Sequence, residues 1–296
     1  MSKRYLTLLL TFLGCQFLTA TLALAGDFDL QEGIVFWQAG QLELQLDMAY
    51  PVGGNGPFPA LIYIFGSGWG YWPASRTECQ LGIMKAAGRG YVAVAIDYRQ
   101  TSIKEGGRAK YRFPDQVYDA KCAVRWLRAN AKKYHVDSEH IGVAGYSSGG
   151  HIALMLGLTR PSDGLEGSCD YADYSSGVQA VVSSGGPTEL KSQYNTDADE
   201  SQAIAAFIGG SPQQMPVEYD RASPVSYVHR DSPPILIIHG DLDKDVPIEQ
   251  AFLLDRRMKE LGATHTLIIR KNEGHNDFTA EPEVFDFFDK YLKQEQ

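Results

Sequence analysis

Positive charge is in deficit in this 296-residue chain, with 27 lysines and arginines against 36 acidic residues and a net charge of −9. That sign argues against nucleic acid as a partner. No repeat period and no long low-complexity tract is present, which argues against solenoids and disordered tails. Charge is also missing from Tyr5 to Ala25. Lys3 and Arg4 precede this run, and Ala23-Leu24-Ala25 closes it with a small-x-small cleavage pattern. Residues 1–25 therefore read as a signal peptide, with Gly26 as the first mature residue. The run is long enough to span a bilayer, but its threonines and Gln16 dilute it and the cleavage pattern ends it. Phe12-Leu13-Gly14-Cys15 is a poor lipobox, because apolar sequence continues beyond Cys15. The expectation is export to the periplasm or the medium, with no stable membrane insertion. The mature balance is then 25 basic to 36 acidic residues, or −11. Three cysteines remain, Cys79, Cys122 and Cys169. That leaves room for one disulfide in an exported protein, but the pairing does not follow from sequence. Cys122 sits in a helix-like run and reads as buried and inert.

What is present is ordinary for a globular protein: 44% hydrophobic and 21% charged residues. Leu42, Leu44, Leu46 and Met48 alternate as in a half-buried antiparallel strand, and Ile34 to Trp37 reads as another strand before it. Ala60 to Phe65 is a continuous apolar run, as central parallel strands are. A helix is expected over about 74–87, then strand Tyr91 to Ile96 and a long helix from Pro114 to Tyr134. Ile141 to Gly145, Val178 to Ser183, Ile235 to Ile238 and Thr266 to Ile269 complete the strands. Helices near 248–261 and 283–292 fall between and after the last of them. This alternation predicts a mostly parallel, eight-stranded sheet with helices on both faces, in one domain over residues 26–296. Two stretches break the pattern. Residues 162–177 form a polar loop, and about 186–234 read as a small cap insertion with a helix at Ser201 to Ile208.

Gly145-Tyr146-Ser147-Ser148-Gly149 lies between the short apolar run at 141–144 and the helix-like run at 150–156. A G-x-S-x-G turn between strand and helix lifts its serine to the C-terminal edge of a sheet, where the helix dipole faces the reaction centre. A serine needs a base, and the base needs an acid to fix its tautomer. Of seven histidines, His275 follows the last strand in a loop at that edge. The acid belongs in the loop after Ile235–His239, where Asp241, Asp243 and Asp245 compete. A calcium loop is excluded there, since Val246 occupies the position of its glycine and Phe252 that of its closing glutamate. Oxyanion donors are expected from the Ser148 N–H and from the loop Gly66-Ser67-Gly68-Trp69-Gly70.

These motifs together resemble the α/β-hydrolase superfamily, and within it the acetyl-esterase, hormone-sensitive-lipase-like and bacterial feruloyl-esterase-like (BD-FAE) branch, over about Phe36 to Leu292. Ile62 to Trp69 is similar to the family's strand and HGGGW oxyanion loop. Ile96-Asp97-Tyr98-Arg99 resembles its D-Y-R element, which braces that loop, and Phe113 to Gln116 with Asp119 resembles the start of its helix before the nucleophile. His239-Gly240 to Val246-Pro247 matches HGxxDxxVP and makes Asp243 the implied acid, with Asp245 as the fallback. Gly274-His275 matches the family's histidine. Two positions depart from the pattern: Phe65 replaces the HGGG histidine and Ser67 its second glycine, so which N–H groups serve as donors is open.

The resemblance implies Ser147, Asp243 and His275 as catalytic residues, with Ser67, Gly68 and Ser148 as the oxyanion hole and no metal or cofactor. The expected substrate is a small-molecule or carbohydrate ester with a short-chain or aromatic acyl group. Trp69, Tyr71 and Trp72 are candidates for substrate stacking, with core or surface packing as the equal alternative. A prolyl-oligopeptidase-like peptidase shares the triad, but about 270 mature residues leave no room for that family's propeller. A non-catalytic binding protein on the same fold is the other alternative, motivated by Phe65 and Ser67.

Overall fold

The computed structural model describes residues 3–4, 27–54, 56–103 and 109–293. The expected leader therefore lies outside the described residues, apart from a two-residue strand at Lys3–Arg4 that pairs with Asp29 and Leu30. Eight longer strands make up the rest of that sheet. They are β1 (Phe28–Ala39), β2 (Leu42–Pro51), β3 (Phe58–Ile64), β4 (Val92–Ile96), β5 (Val136–Tyr146), β6 (Ala180–Ser184), β7 (Ile235–Gly240) and β8 (His265–Arg270). Their order is β1-β2-β4-β3-β5-β6-β7-β8. Only β1 with β2 and β2 with β4 pair antiparallel; every other neighbouring pair is parallel.

Hydrophobic pattern explains this order. β4, β6 and β7 are buried at every residue, as strands covered on both faces must be. β8 is only half-buried along most of its length, as an edge strand can be. The covering helices are α1 (Gln80–Gly88), α2 (Asp115–Ala129), α3 (Ser148–Leu158), α4 (Ala198–Ile208), α5 (Pro216–Arg221), α6 (Glu249–Leu261) and α7 (Pro282–Leu292). α3, behind the nucleophile turn, is buried along nearly all its length. Among the described residues no helix is long and apolar enough to cross a membrane.

Two helix expectations need correction. The helix expected from Pro114 to Tyr134 is interrupted at Asn130, whose side-chain amide donates to the Trp126 carbonyl at 2.9 Å. Such a local bond competes with the helix ladder. The helix expected over 74–87 begins as a 3₁₀ turn at Arg76–Cys79 and becomes α-helical only at Gln80. Cys122 is buried, as expected, and the one disulfide that three cysteines allow joins it to Cys169; among the described residues Cys79 is the free, buried cysteine. The disulfide ties loop 162–177 to α2. Glu166 of that loop also pairs with Lys121 and Arg125 of α2.

Residues 186–234 connect β6 to β7 and carry α4 and α5. α4 begins at Ala198, three residues before the expected start. Asp197 caps it by accepting the N–H groups of Asp199 (2.8 Å) and Glu200 (2.9 Å). Parallel strands deliver their following loops to one edge of the sheet, so the turns after β3, β5, β6, β7 and β8 converge there.

Candidate active site

Ser147 occupies the turn between β5 and α3 with φ 54° and ψ −127°, a conformation that costs a non-glycine residue energy. The surroundings permit nothing else. A Cβ on Gly149 would stand 2.1 Å from the Ile64 carbonyl oxygen, and Ser147 N–H donates to the Ser184 carbonyl at 2.8 Å. The tight turn holds the hydroxyl above the sheet edge and at the N-terminus of α3.

Ser147 Oγ lies 2.9 Å from His275 Nε2, and His275 Nδ1 lies 2.7 Å from Asp243 Oδ2. The remaining oxygen, Asp243 Oδ1, accepts the N–H groups of Asp245 (3.0 Å) and Val246 (2.9 Å). This settles the geometry among the three aspartates: Asp243 faces the histidine, while Asp245 supplies a backbone N–H to it. Burial works against ionisation of Asp243, but hydrogen bonds from His239, His275 and the Val246 N–H outweigh it. They hold the carboxyl well below the usual carboxylate range. An anionic Asp243 fixes the His275 proton on Nδ1 and leaves Nε2 free to accept from Ser147. Tyr146 steadies the same loop, since its hydroxyl donates to the His275 carbonyl at 2.8 Å and its ring lies against the imidazole.

His239 is not a competing base. Its Nε2 sits between two acceptors, the Val246 carbonyl at 2.7 Å and Asp243 Oδ2 at 3.3 Å, so that nitrogen carries the proton. His151 is likewise structural. It accepts from Trp69 Nε1 at 3.0 Å through Nδ1 and donates to the Ala222 carbonyl at 2.7 Å through Nε2. Complete burial drives its pKa down to about 4, against the Ala222 hydrogen bond.

The oxyanion loop differs from expectation at Ser67. The Ser67 N–H donates to Ser148 Oγ at 2.9 Å and is not free. The Gly68 and Ser148 N–H groups take no protein acceptor among the described residues, so the candidate donor pair narrows to these two. Phe65, where the resembled pattern has histidine, stacks on Tyr98 with ring centroids 4.6 Å apart. The Tyr98 hydroxyl donates to the Phe65 carbonyl and lies 2.8 Å from Ser67 Oγ. Its neighbours anchor it: Asp97 pairs with Arg76, and Arg99 with Asp115 and Asp119. The D-Y-R run thus braces the loop through Tyr98.

Trp69 does not reach the cavity. It is 1% exposed, has φ 58°, and stacks on Phe207 of α4 at 4.4 Å. Stacking and the bond to His151 hold this left-handed residue and, with it, Gly68. Tyr71 bonds Gln202 of α4 (3.3 Å) and does not line the cavity either. Trp72 does line it. The cavity, of about 680 Å³, is lined by Gly66, Ser67, Gly68, Trp72, Tyr146, Ser147 and His275 together with Asp197, Ala198, Asp199, Glu200 and Asp245. Sequence reasoning missed Asp197, Asp199 and Glu200 as lining residues, because an acidic run after a loop reads as a solvated helix start. Among the described residues no group of three or more His, Cys, Asp or Glu is arranged to hold a metal ion.

A nucleophile elbow on β5, a facing histidine after β8 and an acid after β7, on this strand order, define an α/β hydrolase. The BD-FAE family description matches residues 46–258, and the chain belongs to that family. It is 28% identical over 242 residues to Esterase LipC of Mycobacterium tuberculosis, covering 79% of this chain and 54% of LipC. It is 26% identical to Esterase LipQ of the same organism, covering 74% of this chain and 50% of LipQ. The chain thus spans about half the length of these curated relatives. Among solved structures it is similar to a truncated carbohydrate esterase from gut microbiota. That match has a TM-score of 0.77 and 28% identity, and covers 90% of this chain and 96% of the other. Butyrate-bound Est2 of Thermogutta terrifontis matches with a TM-score of 0.72 and 25% identity, covering 93% and 98%.

Proposed function

We propose that the protein is an exported serine carboxylester hydrolase that works through an acyl-enzyme on short-chain or aromatic acyl esters, with esters of plant polysaccharide as the natural class. The observation that carries this reading is the continuous Ser147–His275–Asp243 hydrogen-bond chain beside the Gly68 and Ser148 N–H groups, which have no protein acceptor among the described residues. His275 Nε2 takes the Ser147 proton as Oγ attacks the ester carbonyl. Negative charge on the carbonyl oxygen is met by the Gly68 and Ser148 N–H groups and the α3 dipole. His275 then gives its proton to the leaving alcohol. In the second half, water loses a proton to His275 as it attacks the acyl-enzyme, and His275 returns that proton to Ser147 Oγ as the C–O bond breaks and the acid leaves. Asp243 stays ionised and stabilises the imidazolium in both halves. Every proton is carried by His275, so the sequence of steps calls on no metal or cofactor.

Support for the ester reading comes from the esterases among the relatives. Support for the carbohydrate part comes from the gut carbohydrate esterase, and from a 27% identical stretch of 193 residues in endo-1,4-beta-xylanase B of Butyrivibrio fibrisolvens. The residues 1–25 leader supports export. One relative favours a second reading: an uncharacterized peptidase, YtmA of Bacillus subtilis, is 27% identical over 180 residues. Residues 26–296 should hydrolyse p-nitrophenyl acetate and butyrate faster than a long-chain ester. Ser147→Ala should lose that turnover by about 10⁴-fold or more. Cleavage of peptide amides but not esters would move the peptidase reading ahead.

A further inference from the structure

The α4 side of the cavity takes no part in the chemistry above. Asp197, Asp199 and Glu200 come from the start of α4, and Asp245 comes from the loop after β7. Among the described lining residues there is no lysine or arginine. Asp197, Asp199 and Asp245 are exposed to water, but Glu200 is only 7% exposed. A carboxyl this buried ordinarily has a cation beside it. Among the described residues no lysine or arginine pairs with Glu200; His275 and a hydrogen bond from Gln193 are what favour its charged form. The Gln193 amide also donates to the Asp245 carbonyl at 2.7 Å. Asp197 binds the Glu200 N–H and so fixes where the side chain starts. The result is a buried, held carboxyl that lines the same cavity as Ser147 and, with about four acceptor sites on a carboxylate, has room for more than the Gln193 bond.

Its surroundings set its chemistry. Burial and the Asp197 carboxylate, with Asp245 adding to them, push its pKa up to about 7 against the pull of His275 and Gln193. Near neutrality it is part acid and part carboxylate, so it can donate to a hydroxyl as well as accept from one. An alkyl chain offers such a group nothing. A carboxylate-bearing group meets four like-signed neighbours. A neutral sugar supplies both donors and acceptors. Trp72, packed on Gly68 in the same lining, adds an apolar face. In an ester with a short-chain or aromatic acyl group, the hydroxyl-rich part is the alcohol.

Resting on the esterase reading, we propose that Glu200 is a specificity-determining residue that hydrogen-bonds hydroxyl groups of a neutral sugar alcohol moiety, within a carboxylate wall that disfavours uronic-acid esters of the same size.

The test is direct binding to protein that cannot turn over. Acetylated methyl β-xyloside and an acetylated methyl glucuronoside are titrated calorimetrically at pH 8 into Ser147→Ala and into Ser147→Ala/Glu200→Gln. Thermal melting reports whether each variant is folded. Removing the charge should weaken xyloside binding about tenfold, the difference between a charged and a neutral acceptor. Ser147→Ala should bind the glucuronoside at least tenfold more weakly than the xyloside, with the gap narrowing when Glu200 is neutral. Ser147→Ala/Glu200→Asp, which keeps the charge, should recover part of the affinity and guards against a folding defect in the glutamine variant. Equal xyloside affinity in folded Ser147→Ala and Ser147→Ala/Glu200→Gln would overturn the proposal, as would equal binding of the two sugars. Because binding is read without hydrolysis, the esterase reading fails separately. A wild-type protein that hydrolyses no ester, beside an intact tenfold effect, would reject the reaction and keep the subsite.

Discussion

Ser147 and Glu200 line one cavity but are held in different ways. Ser147 is locked by the sheet: β5 ends under it, α3 starts behind it, and Ile64 leaves no room for a side chain at Gly149. Glu200 is held by a helix cap in a connection outside the sheet. The first arrangement is the one the proposed ester chemistry would use, and its parts are strained and tightly packed. The second sets the charge of the lining without touching the reaction centre's framework. Chemistry on the rigid edge and selection on an insertion are separable, and variants can be chosen to separate them.

The largest effects belong to the sheet side. Ser147→Ala and His275→Ala should each lower kcat/KM on p-nitrophenyl acetate by about 10⁴-fold or more, and the double variant should cost little extra. Asp243→Asn should cost about 10⁴-fold in kcat, because the wrong histidine tautomer would face the serine. Losses that add fully in the double variant would show that the three do not act as a unit.

Trp69 and His151 join the two sides, and the His151 pKa gives that junction a pH dependence. His151 titrates near 4 when folded and at about 6.5 when unfolded. The unfolded chain therefore binds more protons between these values. Stability is full above about pH 6.5 and falls as pH drops toward 4, by roughly 3 kcal/mol for this group. His151→Asn keeps an acceptor for Trp69 and a donor for Ala222 but does not titrate. Its chemical-denaturation stability should decline less between pH 6.5 and 4.5. An unchanged slope would assign the acid sensitivity to other groups.

Trp69→Phe keeps the stacked ring but leaves His151 Nδ1 buried without a donor. It should lower stability by about 1–3 kcal/mol. If the junction holds Gly68 in register, kcat should fall while KM stays near its original value. The smallest effect is expected from Tyr146→Phe, which loses the bond to the His275 carbonyl. The loss is about 1 kcal/mol, or a few-fold in kcat. A KM change in place of the kcat change would make Tyr146 a substrate contact.

Much of this was legible in the residues. The eight strands, and the placing of Ser147 and His275 at one edge, follow from apolar runs and turn signals that act over neighbouring residues. Those are local effects, set by side-chain burial and backbone sterics. Asp243 was separable from Asp241 and Asp245 only through the family pattern. In space the difference is plain: Asp243 alone of the three has its carboxylate against His275, and its neighbours' N–H groups turn it there. The stacking role offered to Trp69 failed for a similar reason. Nothing in its neighbourhood along the chain announces Phe207 or His151, which lie 138 and 82 residues away.

The strand–helix alternation, the turn at Ser147 and the histidine after the last strand can be read from the residues alone, because each is written in a few adjacent positions. The Cys122–Cys169 pairing, the bond that occupies the Ser67 N–H, and the carboxylates at the start of α4 that share a cavity with Ser147 emerge from the packed fold. Each joins segments far apart in the chain. Their geometry depends on how the sheet and its insertion pack, and no local propensity encodes it.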